Sequence, residues 1–322
     1  MKRLNNWQRH NPRMFKNNFV LVRGGGDLAT GVALRLHRAG IKVLIAELAQ
    51  PLAVRRTVSF SEAVYDGRQT VEGVTAKLIE ANQLPAWEDA DFIPVIVDPD
   101  TSILVDQDFV VVIDARLIKT SSNPLPKEVP LHIGLGPGFH AGRNCHAVIE
   151  THRSHTLGRV HWTGTTQPDS GEPEGDPRRV LRAPMDGVVT GLKKIGAHVE
   201  EGEVIAEIQN DVILRERSDR RISDNTNETL RRLVSVRGVT GATTRPPAAQ
   251  SDIKIISPFA GVLRGLIRDG LQVTKGTKIG DVDARDDASA CFLVSDKSLA
   301  IGGGALEAVL SKAEIRKKLY SK

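Results

Sequence analysis

Cysteine is nearly missing from this chain: two residues, Cys145 and Cys291, in 322. Two thiols so far apart exclude a disulfide scaffold and point to a reducing compartment. Aromatic residues make up only 4%, too few for base-stacking platforms, so no nucleic-acid partner is expected. No apolar run approaches membrane-spanning length, and VVVI at 110–113 suits a strand core. The apolar segment of a secretory signal is also missing from the N-terminus. The expectation is a cytoplasmic protein with no membrane partner.

The net charge is +5, and its placement decides its meaning. Residues 1–18 carry Lys2, Arg3, Arg9, Arg13 and Lys16 and no acid. This stretch supplies the whole excess and reads as a basic disordered tail. The rest of the chain balances its bases and acids, so the basic tail is only weak evidence for a polyanion partner.

What the chain has is repetition. Residues 182–208, RAPMDGVVTGLKKIGAHVEEGEVIAEI, align without a gap with residues 256–282, ISPFAGVLRGLIRDGLQVTKGTKIGDV. The offset is 74 throughout, and nine of 27 positions are identical, among them Pro184/Pro258, Gly187/Gly261 and Gly202/Gly276. A duplicated unit is an architectural signal. In each copy a turn, a short β run and a second turn precede an alternating run that suits a half-buried strand. A lone hairpin is marginal, so two copies are expected to share a core. The pattern resembles the barrel-sandwich hybrid of biotinyl and lipoyl carrier domains. A carrier needs a lysine at the hairpin tip between its halves, whereas residues 209–255 hold only Lys254, inside the apolar run IKII. No biotin or lipoate is therefore expected, and the module reads as a structural or docking element.

The N-terminal half carries a different signal. Residues 19–47, FVLVRGGGDLATGVALRLHRAGIKVLIAE, read as strand, glycine turn, helix and strand. Gly24-x-Gly26-x-x-Ala29 matches the dinucleotide fingerprint in its proper context. A small-residue turn lets backbone N–H groups close on a phosphate at a helix N-terminus, where the dipole favours negative charge. The candidate ligand-binding residues are Arg23, Gly24, Gly25, Gly26, Asp27, Leu28, Ala29, Thr30 and Gly31, with Glu47 placed to hold a ribose hydroxyl. Empty loops of this kind also occur in doubly wound domains. Arg55 and Arg56 would favour a more anionic ligand or serve as solvated loop charges.

PVIVDPD at 94–100 and FVVVIDAR at 109–116 are apolar runs ending in acid, as strands covered on both faces would be. They put Asp98 and Asp114 at strand carboxyl ends, where open α/β sheets bind ligands. PLHIGLGPGFHAGRN at 130–144 passes from a strand into a second glycine loop, with Gly134, Gly136 and Gly138 as a second candidate cradle. Six histidines crowd residues 132–161, but neither a helical H-x-x-x-H pair nor C-x-x-C is present, so no metal site is expected.

Several long segments carry a family resemblance: RGGGDLATGVALRLHRAGIKVLIAE, VRRTVSFSEAVYDG, HIGLGPGFHAG, VIETHRSHTLGRVHWTG and DARDDASACFLVSDKSLAIGGGALEAVL. Together with ISPFAGVLRGLIRDG they resemble the YqeB family, proteins of the selenium-dependent molybdenum hydroxylase system that are distantly similar to XdhC-type maturation factors. The resemblance implies an accessory or maturation protein rather than a catalyst, with a molybdenum hydroxylase or its maturation machinery as partner. It implies a small anionic ligand: the molybdenum cofactor, as molybdopterin or its dinucleotide, or an NAD- or FAD-type nucleotide. It also draws in Gly302, Gly303 and Gly304, read as a glycine turn leading into the helix ALEAVL, another N-terminus suited to an anion. Cys291, in the strand-like run CFLV, reads as buried and inert. The alternatives are an NAD-dependent oxidoreductase with an accessory β domain, or a ligand-free scaffold that docks a partner enzyme.

The expected fold class is α/β, a Rossmann-like, mainly parallel sheet domain with a duplicated barrel-sandwich hybrid module. The expected boundaries are the tail at 1–18, the Rossmann-like domain at 19–165, a linker at 166–179 and the module at 180–285. The module carries a flexible insertion at 211–251, and a helix-containing tail occupies 286–322.

Overall fold

The computed structural model describes residues 19–81, 91–173, 175–209 and 252–320. The basic tail at 1–18 and the insertion at 211–251 lie outside the described residues. The chain divides into two units, one formed by residues 1–177 and 287–322 and the other by 178–286. Among the described residues no helix is long and apolar enough to cross a membrane.

The first unit is built on a nine-stranded sheet. Its strands are β1 (Phe19–Arg23), β2 (Lys42–Glu47), β3 (Arg68–Val71), β4 (Val74–Leu78) and β5 (Ile93–Val97), then β6 (Val111–Asp114), β7 (Leu131–Leu135), β8 (Ala147–Ile149) and β9 (Val160–His161). They lie in the order β3-β4-β5-β2-β1-β6-β7-β8-β9. Pairing is parallel from β4 to β8 and antiparallel at both edges. Val20, Leu21 and Val22 of β1 are fully buried, because a central parallel strand meets apolar neighbours on both faces.

Helices cover one face of the sheet, and a single short one lies on the other. Helix α1 (Asp27–Arg38) follows the glycine loop. Two four-residue helices come next, α2 (Ala63–Asp66) and α3 (Ile103–Asp106). At the far end of the chain lie α4 (Asp296–Ser311) and α5 (Ala313–Tyr320). Val32 and Leu36 of α1 and Ile301, Ala305 and Val309 of α4 share one core with Val20, Val22 and Ile113 of the sheet. On the opposite face Leu21, Leu44, Ile96 and Val112 pack under α3, Phe109 and Val129.

This arrangement corrects the expected Rossmann-like class. A doubly wound domain carries crossover helices on both faces of its sheet. Among the described residues only the β1–β2 crossover contains a long helix, and the sheet is mixed. The β5–β6 connection has only the one-turn α3, and the second long helix on the β1 face comes from the C-terminus.

α1 and α4 approach backbone to backbone. A Cβ at Gly31 would lie 2.5 Å from the Ser298 carbonyl oxygen, and one at Gly302 would lie 2.5 Å from the Gly31 oxygen. A Cβ at Gly304 would run into the Gly158 carbonyl. Gly303, one position away, is exposed with open space around it.

The second unit contains β10 (Val180–Arg182), β11 (Gly187–Gly191), β12 (His198–Val199), β13 (Val204–Gln209), β14 (Ile253–Ile256), β15 (Gly261–Leu266), β16 (Gln272–Val273) and β17 (Lys278–Asp283). They form two four-stranded antiparallel sheets, β10-β17-β15-β12 and β14-β13-β11-β16. Each sheet joins a pair of strands from one repeat to two flanking strands from the other. Val189, Ile205 and Ile208 of the first copy and Val262, Leu263, Ile279 and Val282 of the second are all fully buried. The shared glycines have a shared cause: a Cβ at Gly187 would strike the Gln209 carbonyl, and one at Gly261 would strike the Asp283 carbonyl. The expected biotinyl/lipoyl-like module is corrected to this pair of sheets. Lys254 lies within β14 opposite Glu207, and no carrier feature is present among the described residues.

The helix contact yields a contrast between neighbours. Gly303→Ala is expected to stabilise by roughly 0.5–1 kcal/mol through helix propensity. Gly302→Ala is expected to destabilise by about 1–3 kcal/mol through overpacking. Denaturant unfolding followed by circular dichroism measures both, and equal shifts would refute the close contact.

Candidate functional site

The glycine loop lies where β1 ends. Gly24 has φ +93°, a conformation that favours glycine, and its N–H donates to the Ala46 oxygen at 2.8 Å. The Gly25 N–H donates to Glu47 Oε2 at 2.6 Å, and Leu48 N–H donates to Oε1 at 2.7 Å. Both oxygens of the Glu47 carboxylate are thus held by backbone amides. Burial pushes the Glu47 carboxyl above its usual range, against the opposing pull of those two amides.

The segment after β2 covers part of the loop. Ser61 N–H donates to the Gly25 oxygen at 2.8 Å, and Phe60 N–H donates to Thr30 Oγ1 at 2.9 Å. A Cβ at Gly25 would lie 2.9 Å from Ser61 N, so alanine does not fit there. Gly26 is different: nothing lies within 4 Å of where its Cβ would be. It precedes α1, whose N-terminus has no side-chain cap and whose first amides therefore remain available to an acceptor. Asp27 lies 3.8 Å from Arg55, which donates to the Ala290 and Leu293 carbonyls. Leu28, Ala29, Thr30 and Gly31 are buried in the helix body. Only Gly24 to Asp27 of the loop reach the surface, Gly25 excepted.

Next to the loop is the end of β6. Asp114, fully buried, accepts from Arg23 Nη1 at 2.8 Å. It also accepts from Arg116 Nε at 2.9 Å and from Arg116 Nη2 at 2.7 Å. Burial pulls the Arg23 guanidinium below its ordinary value, with Asp114 opposing. A Cβ at Gly24 would lie 3.6 Å from Arg116 Cγ. From β1 the chain runs first toward β2 and β5 and then returns to β6 on the other side. The β1–β6 gap is therefore the topological switch point, where open α/β sheets bind ligands. Leu117 (φ +56°) and Thr101 (φ +60°) follow the ends of β6 and β5 in left-handed backbone, strain of a kind that gathers at functional sites. Asp98 is occupied: it accepts from the Ser102 and Ile103 amides at 2.9 Å each.

The second and third glycine sets are packing positions. A Cβ at Gly134 would overlap the Phe139 ring, and one at Gly138 would overlap the Ile118 carbonyl. Gly136 has φ +85°, and a Cβ there would lie 2.9 Å from Thr151 Oγ1. Gly302, Gly303 and Gly304 lie in the middle of α4, whose N-terminus is six residues earlier and capped by Ser295, whose Oγ accepts from Ser298 N–H. The expected anion-binding turn is therefore a helix crossing. Cys291 lies in a 3-10 turn rather than a strand and is buried.

Among the described residues no cluster of three His, Cys, Asp or Glu is placed to hold a metal. His132 is buried on β7, its N–H donating to His146 Nδ1 at 2.9 Å, while its own Nε2 has no partner among the described residues. Burial lowers its pKa from 6.5 to about 4, with Asp114 opposing. Burial likewise raises the Cys145 thiol to about 11, so it stays protonated and unreactive near neutrality. Arg116 and Ser61 were not among the expected site residues. The D-A-R sequence at the end of the β6 run marks Arg116. Nothing local marks Ser61, which reaches Gly25 only through the fold.

No protein-family model matches the chain. It is 40% identical over 299 residues to "Uncharacterized protein YqeB" of Escherichia coli K12. The match covers 91% of this chain and 48% of that protein, so the chain spans about half the length of the curated relative. Among solved structures, an aspartoacylase family protein from Mesorhizobium loti matches at 10% identity and TM-score 0.24, over 83% of this chain and 84% of that one. The ectoine utilization protein EutE (DoeB) from Ruegeria pomeroyi matches at 12% and 0.24, over 83% and 86%. A succinylglutamate desuccinylase from Silicibacter matches at 11% and 0.23, over 83% and 85%. Scores this low carry no fold or function to this chain. Nothing in these matches supports a molybdenum hydroxylase accessory role or a biotinyl/lipoyl carrier. The expected maturation role is not supported and is set aside: of the three glycine sets it relied on, the second and third are packing positions, with only Gly303 of α4 left in open space.

His132 gives a pH prediction. The unfolded chain protonates this imidazole near 6.5, and the folded chain only near 4. Its contribution to stability is present above about 6.5 and lost as pH falls toward 4. Thermal unfolding between pH 7 and 4 should show a fall in Tm that His132→Gln flattens; an unchanged slope would count against it.

Proposed function

From the geometry at β1 and β6, we propose that the first unit binds a small phosphorylated ligand of the nucleotide class. The observation that carries the reading is the coincidence of two features at the switch point: an uncapped α1 N-terminus and open space at Gly26. Phosphate oxygens take the first-turn amides of α1, aided by the helix dipole. Glu47 closes β2 beside the loop, its two oxygens fixed by amides, with lone pairs left for a sugar hydroxyl. Leu48 (48% exposed) and Val97 (44%) flank it as an apolar surface for a planar ring.

The role is binding and orientation. The described residues of this site hold no nucleophile paired with a base, so the reading assigns no reaction. A Gly26→Asp change puts a carboxylate at the mouth of the loop without steric conflict in the fold. It is expected to abolish binding of ADP or ATP in isothermal titration while thermal unfolding in ligand-free buffer stays within a few degrees, as for a surface change. Undiminished binding by that variant would sink the reading.

A further inference from the structure

The reading above leaves Arg116 without a task, and its surroundings specify one. Asp114 is fully buried and already has a cation in Arg23, itself buried. Arg116 is therefore a second cation on one carboxylate, and the trio carries a net positive charge. A buried carboxylate needs its charge compensated, and Arg23 meets that need. Arg116 is the member that reaches solvent, its side chain 35% exposed. Asp114 grips it by Nε and Nη2, which fixes the guanidinium plane. Nη2 also lies 3.5 Å from Ser122 Oγ. Nη1 has no partner among the described residues. The stem of the side chain passes beside Gly24. The result is a pre-oriented cation with an unused donor edge, one strand away from the glycine loop.

We propose that Arg116 reads a second phosphoryl group, so that the ligand of this site is a diphosphate rather than a monophosphate. The inference rests on the phosphate-site reading of the glycine loop. Adjacent strands stand about 4.8 Å apart, so the α1 N-terminus and Arg116 bracket neighbouring phosphoryl groups. One phosphate takes the α1 amides and the next takes Arg116. Asp114 is the positioning residue that turns the guanidinium toward it, and Arg23 keeps Asp114 charge-compensated when Arg116 shifts its bonds toward the ligand.

The test titrates adenosine, AMP and ADP into the full chain and into Arg116→Gln and Arg116→Lys, at one salt concentration. Wild type is expected to bind ADP about 10-fold or more tightly than AMP, the scale of a hydrogen bond to a charged group. Arg116→Gln is expected to bring ADP down to the AMP level and leave AMP and adenosine unchanged, and Arg116→Lys to recover part of the difference. Circular dichroism confirms that the variants are folded. An equal loss for AMP and ADP, or no loss for either, overturns the proposal, as does a wild type that binds the two equally, and each of these leaves the phosphate site standing. A wild type that binds none of the three overturns both.

Discussion

The contact between Gly31 of α1 and Gly302 of α4 is the constraint on which the first unit rests. Each helix places a backbone carbonyl where the other's Cβ would be, so only glycine permits the crossing. Gly158 and Gly304 repeat the arrangement further along α4. The two helices bury one shared core with β1 and β6. The chain's last helices thereby complete the layer begun by its first helix. Without α4 the β1–α1 element has an apolar face and no cover for it. The short β5–β6 and β6–β7 connections provide no helix to replace it.

The same sheet concentrates its charge at one end. Glu47, Asp98 and Asp114 each end a strand run, and each accepts two or more donors. Carboxylates withdrawn from water need such partners, and loop amides at strand ends supply them. Glu47 is held by backbone alone. Asp114 accepts the Arg116 amide but is held chiefly by two side chains, of which one is enclosed and one reaches solvent. A backbone-held acid is a fixed feature. One held by a half-exposed arginine presents a cation to whatever occupies the neighbouring gap. The strained backbone at Leu117 and Thr101 lies at the same end. Charge, strain and exposed apolar side chains therefore meet where the parallel strands finish.

The second unit reaches stability by exchange. Each repeat contributes strands to both sheets, so neither copy has a complete sheet without the other. That explains why identities cluster at glycines and apolar positions. Gly187 and Gly261 meet equivalent carbonyls, and the buried valines and isoleucines face one shared interior. The variable positions between them are free to diverge.

Much of this was legible in the sequence, because it is local. The strand–glycine–helix–strand run from Phe19 to Glu47, the apolar runs ending at Asp98 and Asp114, and the repeat with its offset of 74 all follow from periodicity and turn chemistry, which act over a few residues. The helix start at Asp296 is local too, marked by Ser295, yet three consecutive glycines suggested a turn there. A glycine admitted for close packing has the same sequence signature as one admitted for backbone freedom, and only the partner surface separates them. Gly302 faces Gly31 from 271 positions away, a distance no local pattern spans. The same holds for the one long crossover helix among the described residues, for Ser61 over Gly25, and for Arg23 and Arg116 sharing Asp114. The sequence by itself determined the elements and their punctuation. The tertiary structure decided which glycines stay open and which are filled, because that depends on what packs against them.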